Sequence, residues 1–141
     1  MNLIKLIIFA CLLAGCSPVK HPIEAGEITG EYLASYHEAE DKLILFENGT
    51  YEHAYNLNGK LLTNRDRWEF LDSTSDNTQL DLRLFNFKFR AAKDTMSTTS
   101  DWIVSAEKTE RISLLKGEDD SLRIRLCFNY DLDHCFVKQR E

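Results

Sequence analysis

The chain has 141 residues, 43% of them hydrophobic and 28% charged, with a formal net charge of −6. That length fits one domain, and 6 glycines with 2 prolines are too few for a disordered polymer. An acidic balance that no lysine or arginine cluster offsets argues against a nucleic-acid partner and against binding to anionic headgroups by charge.

Residues 1–16 have the layout of an export signal. Lys5 supplies a short positive region, residues 6–13 are an unbroken apolar stretch, and Ala14-Gly15 supplies the small residues that a peptidase requires. The apolar part is shorter than the ~20 residues that span a bilayer, and a helix is expected over residues 3–14. The ending Leu13-Ala14-Gly15-Cys16 closely resembles the lipobox of bacterial lipoproteins. That resemblance implies a diacylglyceryl group on the Cys16 thiol, cleavage just before it, and acylation of the freed amine. Each buried methylene of such chains contributes about 0.8 kcal/mol, and two or three chains make a durable anchor. Ser17 follows the cysteine, which in Gram-negative lipoproteins resembles the default for sorting to the outer membrane. The expected location is therefore the cell envelope, lipid-anchored and facing the periplasm. Residues 1–15 carry one lysine and no acid, so the mature chain keeps 16 basic and 23 acidic residues, a balance of −7. The expected organisation is a signal peptide over residues 1–15, a lipidated tether over 16–29 containing Pro18 and Pro22, and a β domain over 30–141.

The tether is followed by segments of strand character. Residues 42–62, KLILFENGTYEHAYNLNGKLL, contain two Asn-Gly pairs, the strongest short hairpin signal, because both residues tolerate the positive φ of a type I′ turn. A two-residue loop at Asn48-Gly49 pairs Glu47 with Thr50, Phe46 with Tyr51 and Ile44 with His53. That register places Ile44, Phe46, Tyr51, His53 and Tyr55 on one face, with Leu43, Leu45, Glu52 and Ala54 opposite. The second pair, Asn58-Gly59, brings Leu62 beside Tyr55. Residues 67–71 form a further strand with Trp68 and Phe70 on one side, and the polar residues 72–78 are a loop. In QLDLRLFNFKFR, residues 79–90, the apolar phase changes from Leu80, Leu82 and Leu84 to Phe85, Phe87 and Phe89, which predicts a β-bulge near Leu84-Phe85. Residues 91–100 are the least regular stretch and are expected to be a loop or lid. Strands follow at 102–106, 111–115, 122–128 and 136–138. About eight short strands at regular spacing, with no helical period, predict an all-β fold, a single antiparallel meander barrel or sandwich.

Cys127 and Cys135 are the thiols left beside Cys16 once Cys11 departs with the signal, and export places them in an oxidising compartment. Paired across a hairpin they set Leu126 opposite Phe136, an apolar match. Cys127 is in phase with Arg123 and Arg125, so the bridge is expected on the more polar face. A disulfide is the expected state. A metal site from Cys127, Asp131, Asp133, His134 and Cys135 is the competing reading, but a seven-residue gap is not a known ligand spacing. Asp131-Leu-Asp133 lacks the ligand series and glycine of a calcium loop.

No nucleophile elbow, phosphate loop or His-Glu-x-x-His is present. His37 lies in SYHEAED, read as a solvated charged turn rather than a catalytic dyad. His53, between Tyr51 and Tyr55 on the hairpin, is either a hydrogen-bonded histidine or a polar contact in a ligand cavity lined by Tyr51, His53, Tyr55 and Trp68. No catalytic residue, metal or cofactor is expected, and the protein is expected not to be an enzyme.

Gly30-Glu31-Tyr32, Leu43-Ile44-Leu45 leading into Asn48-Gly49-Thr50-Tyr51, and then Trp68, are similar to the small lipocalin-like lipoproteins of bacteria. There a Gly-x-aromatic strand precedes a Gly-Thr-aromatic hairpin; Tyr32 stands where lipocalins proper usually carry Trp. The resemblance covers about the first third of the mature domain and implies a β-barrel. The expected function is a non-catalytic envelope module, anchored to the bilayer through acylated Cys16, that binds a small apolar ligand or a periplasmic protein. An alternative is an immunity lipoprotein neutralising a toxin delivered into the periplasm, and a third is an envelope hydrolase. The protein is expected to be a monomer.

Overall fold

The computed structural model describes residues 20–36, 40–73, 78–92, 95–98, 101–109, 122–128 and 134–139. In chain order the elements are β1 (Lys20–His21), the 3-10 turn η1 (Ala25–Glu27), β2 (Gly30–Ala34), β3 (Lys42–Leu45), β4 (Thr50–Leu57), β5 (Lys60–Ser73), β6 (Gln79–Phe85), β7 (Lys88–Ala92), β8 (Thr95–Thr98), β9 (Asp101–Thr109), β10 (Arg123–Phe128) and β11 (Cys135–Lys138). Eight of these strands, β2-β3-β4-β5-β6-β9-β10-β11, pair antiparallel with their neighbours, and β11 returns to β2, which closes the barrel. Closure removes the free edges that an open sheet would expose. The expected all-β meander barrel is therefore the observed fold. The expected signal helix, Cys16, His37 and the strand at 111–115 lie outside the described residues.

Alternation builds the interior, broken where Cys127 and Cys135 are buried beside Leu126 and Phe136. Tyr32, Leu43, Leu45, Tyr51, His53, Tyr55, Leu82, Leu84, Val104, Leu126 and Phe136 are all buried, while the residues between them face outward. Each large apolar side chain so buried contributes about 1.5–3 kcal/mol.

The β3–β4 hairpin departs from the expected register by one residue. Leu45 pairs with Tyr51 and Leu43 with His53, so Leu43 and Leu45 enter the core while Phe46 stays 41% exposed. The cause is local: the Phe46 N–H donates to the Thr50 carbonyl (2.9 Å) and the Gly49 N–H to the Phe46 carbonyl (3.1 Å), leaving three loop residues. Gly49 has φ +78, whereas Asn48 is not among the positive-φ residues. That is a three-residue loop ending in a left-handed glycine, not the two-residue type I′ loop. The Asn48 Oδ1 accepts from the Thr50 N–H (3.1 Å) and Oγ1 (2.7 Å), which holds the turn. A slip of one residue exchanges the two faces of β3. At Asn58-Gly59 both residues have positive φ, Leu57 pairs with Lys60, and Tyr55 pairs with Leu62 as expected.

The phase change after Leu84 is not a bulge within one strand. β6 ends at Phe85, Asn86 turns with φ +49, and the chain leaves the barrel wall to form the separate ribbon β7–β8. Phe87 thereby points into the core and is fully buried. Part of the stretch read as an irregular loop, residues 91–100, is thus strand: Lys88 pairs with Thr98 and Arg90 with Met96.

Each barrel mouth is covered by the chain itself. The mouth where β3 ends and β4 begins is crossed by residues 20–28, whose Ile23 and Ile28 join the core. Residues expected to be tether are therefore part of the packed body. The opposite mouth is covered by the β7–β8 ribbon and by Tyr36 and Asp41, both buried.

Cys127 and Cys135 form a disulfide across the β10–β11 pair, with Leu126 opposite Phe136, as expected. Cys127 shares its phase with Arg125, yet both cysteines are buried rather than lying on a polar surface.

Candidate functional site

Beneath the ribbon, aromatic rings meet around His53. Phe87 stacks on its imidazole with centroids 4.6 Å apart, Tyr55 lies at 5.1 Å and Phe136 meets it edge-on at 5.7 Å. Phe128 links this group to a second stack, Phe89 on Trp102 at 4.3 Å. Edge-on and offset pairs of this kind add about 0.5–1.5 kcal/mol each beyond their burial. The alternation of β4 aims Tyr51, His53 and Tyr55 inward together. Trp68 sits apart near the other mouth, where its Nε1–H donates to the Phe46 carbonyl (3.1 Å).

A charged pair sits in the same pocket of the fold. The guanidinium of Arg90 forms two hydrogen bonds to the Asp41 carboxylate, Nε to Oδ2 at 2.9 Å and Nη2 to Oδ1 at 2.7 Å. Nη2 also donates to the Asn56 carbonyl. Asp41 is fully buried and Arg90 nearly so. Asp41 belongs to the segment read as a solvated charged turn; its neighbour Glu40 is exposed, but Asp41 itself turns into the barrel.

His53 Nε2 lies 4.0 Å from Asp41 Oδ2, and neither ring nitrogen has a hydrogen-bond partner at good geometry. Burial pushes its pKa down to about 4; Asp41 opposes that shift, Arg90 reinforces it, and the nearby Lys88 backbone opposes it weakly. At neutral pH the imidazole is therefore uncharged. The Asp41 carboxylate is clamped by Arg90, so the arrangement fastens the ribbon and presents a neutral, polar ring among apolar ones.

A second fastening lies at the crossing from β6 to β7. The Tyr51 hydroxyl donates to the Phe85 carbonyl (2.6 Å), and Asn64 Nδ2 donates to the Tyr51 hydroxyl (3.0 Å) and to the Asn86 carbonyl (2.9 Å). Asn86 Nδ2 donates to Asp66 Oδ2 (2.6 Å) and holds that carboxyl below its usual range. Burial raises the Tyr51 phenol, so it stays protonated.

On the outside, β5 outruns its neighbour. It pairs with β4 from Lys60 to Arg67, but with β6 only from Trp68 onward. Among the described residues, no strand pairs with 60–67 on the side away from β4. Leu61 at this hairpin tip is 75% exposed, and Leu62 beside it 39%.

Phe87, legible in the sequence as core or cavity lining, is the ring against His53, whereas Asp41 and Arg90 were not legible as site residues, because they come from distant segments with no shared motif. The cysteines of the alternative metal reading are joined to each other, and Asp131 and Asp133 lie outside the described residues. No family model matches this chain, and neither a curated protein nor a solved structure matches it.

Proposed function

We propose that this chain is a non-catalytic lipoprotein of the cell envelope, anchored through acylated Cys16, facing the periplasm and binding another protein. The observation that carries the protein-binding part is the protruding β4–β5 hairpin. Among the described residues it offers a strand edge without a β partner, free of the Asn86 contacts toward its tip, and exposed Leu61 and Leu62, the combination that pairs with an extended segment of a partner. The barrel interior near His53 is occupied by the protein's own rings, which favours an outer surface over a calyx. An acidic mature domain suits a basic partner, and neutralising a toxic effector is one form such binding takes. The test is purification of the membrane-anchored protein from its host, followed by native mass spectrometry. Co-purification of a protein, lost in the Leu61→Lys/Leu62→Lys variant at unchanged melting temperature, is the expected result. Recovery of the same complex from the variant overturns the assignment to this hairpin. A Cys16→Ser chain that matures and stays with membranes unchanged overturns the anchor.

A second reading is favoured by one observation: neither ring nitrogen of the fully buried His53 makes a hydrogen bond of good geometry to the described residues. Displacement of Phe87 by a small apolar molecule carrying one polar group would satisfy them, with Tyr51, His53 and Tyr55 as lining. Native spectra carrying a small-molecule mass adduct support this reading, and bare spectra remove it.

A further inference from the structure

The chain is acidic and has no run of basic residues, yet the fold gathers cations at one place. A cleft of about 250 Å³ at the mouth crossed by residues 20–28 is lined by Glu27, Lys108, Leu122, Arg123, Ile124, Lys138 and Gln139. Its three cations come from β9, β10 and β11, which closure of the barrel sets side by side. Glu27 is the one acid among the described lining residues. Lys108 satisfies it at 2.6 Å and the Glu24 N–H at 2.9 Å. The Lys138 ammonium donates to the Glu27 backbone carbonyl rather than to a carboxylate. Arg123 is exposed, and Leu122 beside it is 42% exposed. Among the described residues the cleft sets one carboxylate against three cations, with an apolar side chain at its rim.

Its position gives that charge a use. β1 begins at Lys20, and His21 pairs with Lys108 of this same mouth. Only three residues lie between Cys16 and Lys20, and the four residue steps reach at most about 14 Å. A tether that short holds this mouth at the headgroup layer, where its cations can touch phosphates directly.

We infer that this cleft binds the phosphate of an anionic phospholipid headgroup in the leaflet that holds the anchor. Arg123 and the remaining N–H groups of Lys138 take the phosphate oxygens, and Leu122 meets the glycerol and upper acyl region. The remaining acidic surface is repelled by the same leaflet, so the protein stands with this mouth down and the β4–β5 hairpin at the opposite end directed away. The inference rests on the lipid-anchored reading above.

The test uses the full lipidated protein in vesicles of phosphatidylcholine, with and without added phosphatidylglycerol. Amine acylation rates at Lys138, Lys108 and the distant Lys60 are read by mass spectrometry. Phosphatidylglycerol is expected to slow labelling of Lys138 about fivefold or more, to leave Lys60 unchanged, and to lose its effect in Arg123→Glu. Equal rates in both vesicles, on protein whose Cys16 peptide carries acyl chains, overturn the headgroup site while leaving the anchor intact. A Cys16 peptide without acyl mass overturns the anchored reading itself. Protection by inorganic phosphate in detergent equal to that on phosphatidylglycerol vesicles assigns the cleft to a soluble anion and overturns the lipid assignment.

Discussion

Arg90 in the ribbon and Asp41 before β3 form a two-pronged ion pair inside the barrel mouth, with contacts of 2.9 and 2.7 Å, although 49 residues separate them. Among the described residues the ribbon has no strand pairing to the barrel, so this pair and the rings of Phe87 and Phe89 seat it together with the contacts at Asn86 and Asn56. A buried ion pair gains little over a well-packed apolar pair, but removing one partner strands a charge.

The Asp41→Asn and Arg90→Met variants are each expected to lose about 3–5 kcal/mol in urea denaturation. The double variant Asp41→Leu/Arg90→Met is expected to recover most of it. A double variant as unstable as the sum of the singles would contradict this account.

His53 sets a pH dependence. Its folded pKa, about 4, lies below the ordinary histidine value of 6.5. The unfolded chain therefore binds more protons between these limits, and stability falls as pH drops from about 6.5 to 4, by about 3 kcal/mol. Above 6.5 the contribution is complete. His53→Phe is expected to flatten this slope in unfolding curves taken at several pH values; an unchanged slope would assign it to other groups.

The Cys127–Cys135 bridge closes a short loop, with the two residues eight apart. Chain entropy gives it about 2–3 kcal/mol. Cys127→Ser/Cys135→Ser is expected to lower stability by that amount, and reductant to leave the variant's melting temperature where it was.

The β3–β4 turn depends on one left-handed residue. At Gly49 an added Cβ would lie 3.6 Å from the Trp68 carbonyl, an ordinary contact, so the cost of alanine there is conformational. Gly49→Ala is expected to cost about 1–2 kcal/mol. Gly26→Ala, where an added Cβ meets nothing within 4 Å, serves as the near-neutral control in the same melts.

The sequence by itself determined the class of fold, because a period of two, repeated between turn residues, can bury only one face of a sheet. It also determined the disulfide, since pairing Leu126 with Phe136 brings the cysteines opposite. The Asn58-Gly59 turn was legible for the same local reason. Tertiary structure decided between the two local loops that Asn48-Gly49 allows, because the three-residue loop sends Leu43 and Leu45 into the core in place of Ile44 and Phe46. It decided that Phe87 leaves the wall rather than bulging within it. It also decided that Asp41 is buried, because its partner Arg90 arrives from a strand that no local pattern connects to it. Lys108, Arg123 and Lys138 lie scattered along the chain, and only closure of the barrel makes one cleft of them. Periodicity is a property of neighbours in sequence, whereas charge pairing and mouth closure depend on neighbours in space.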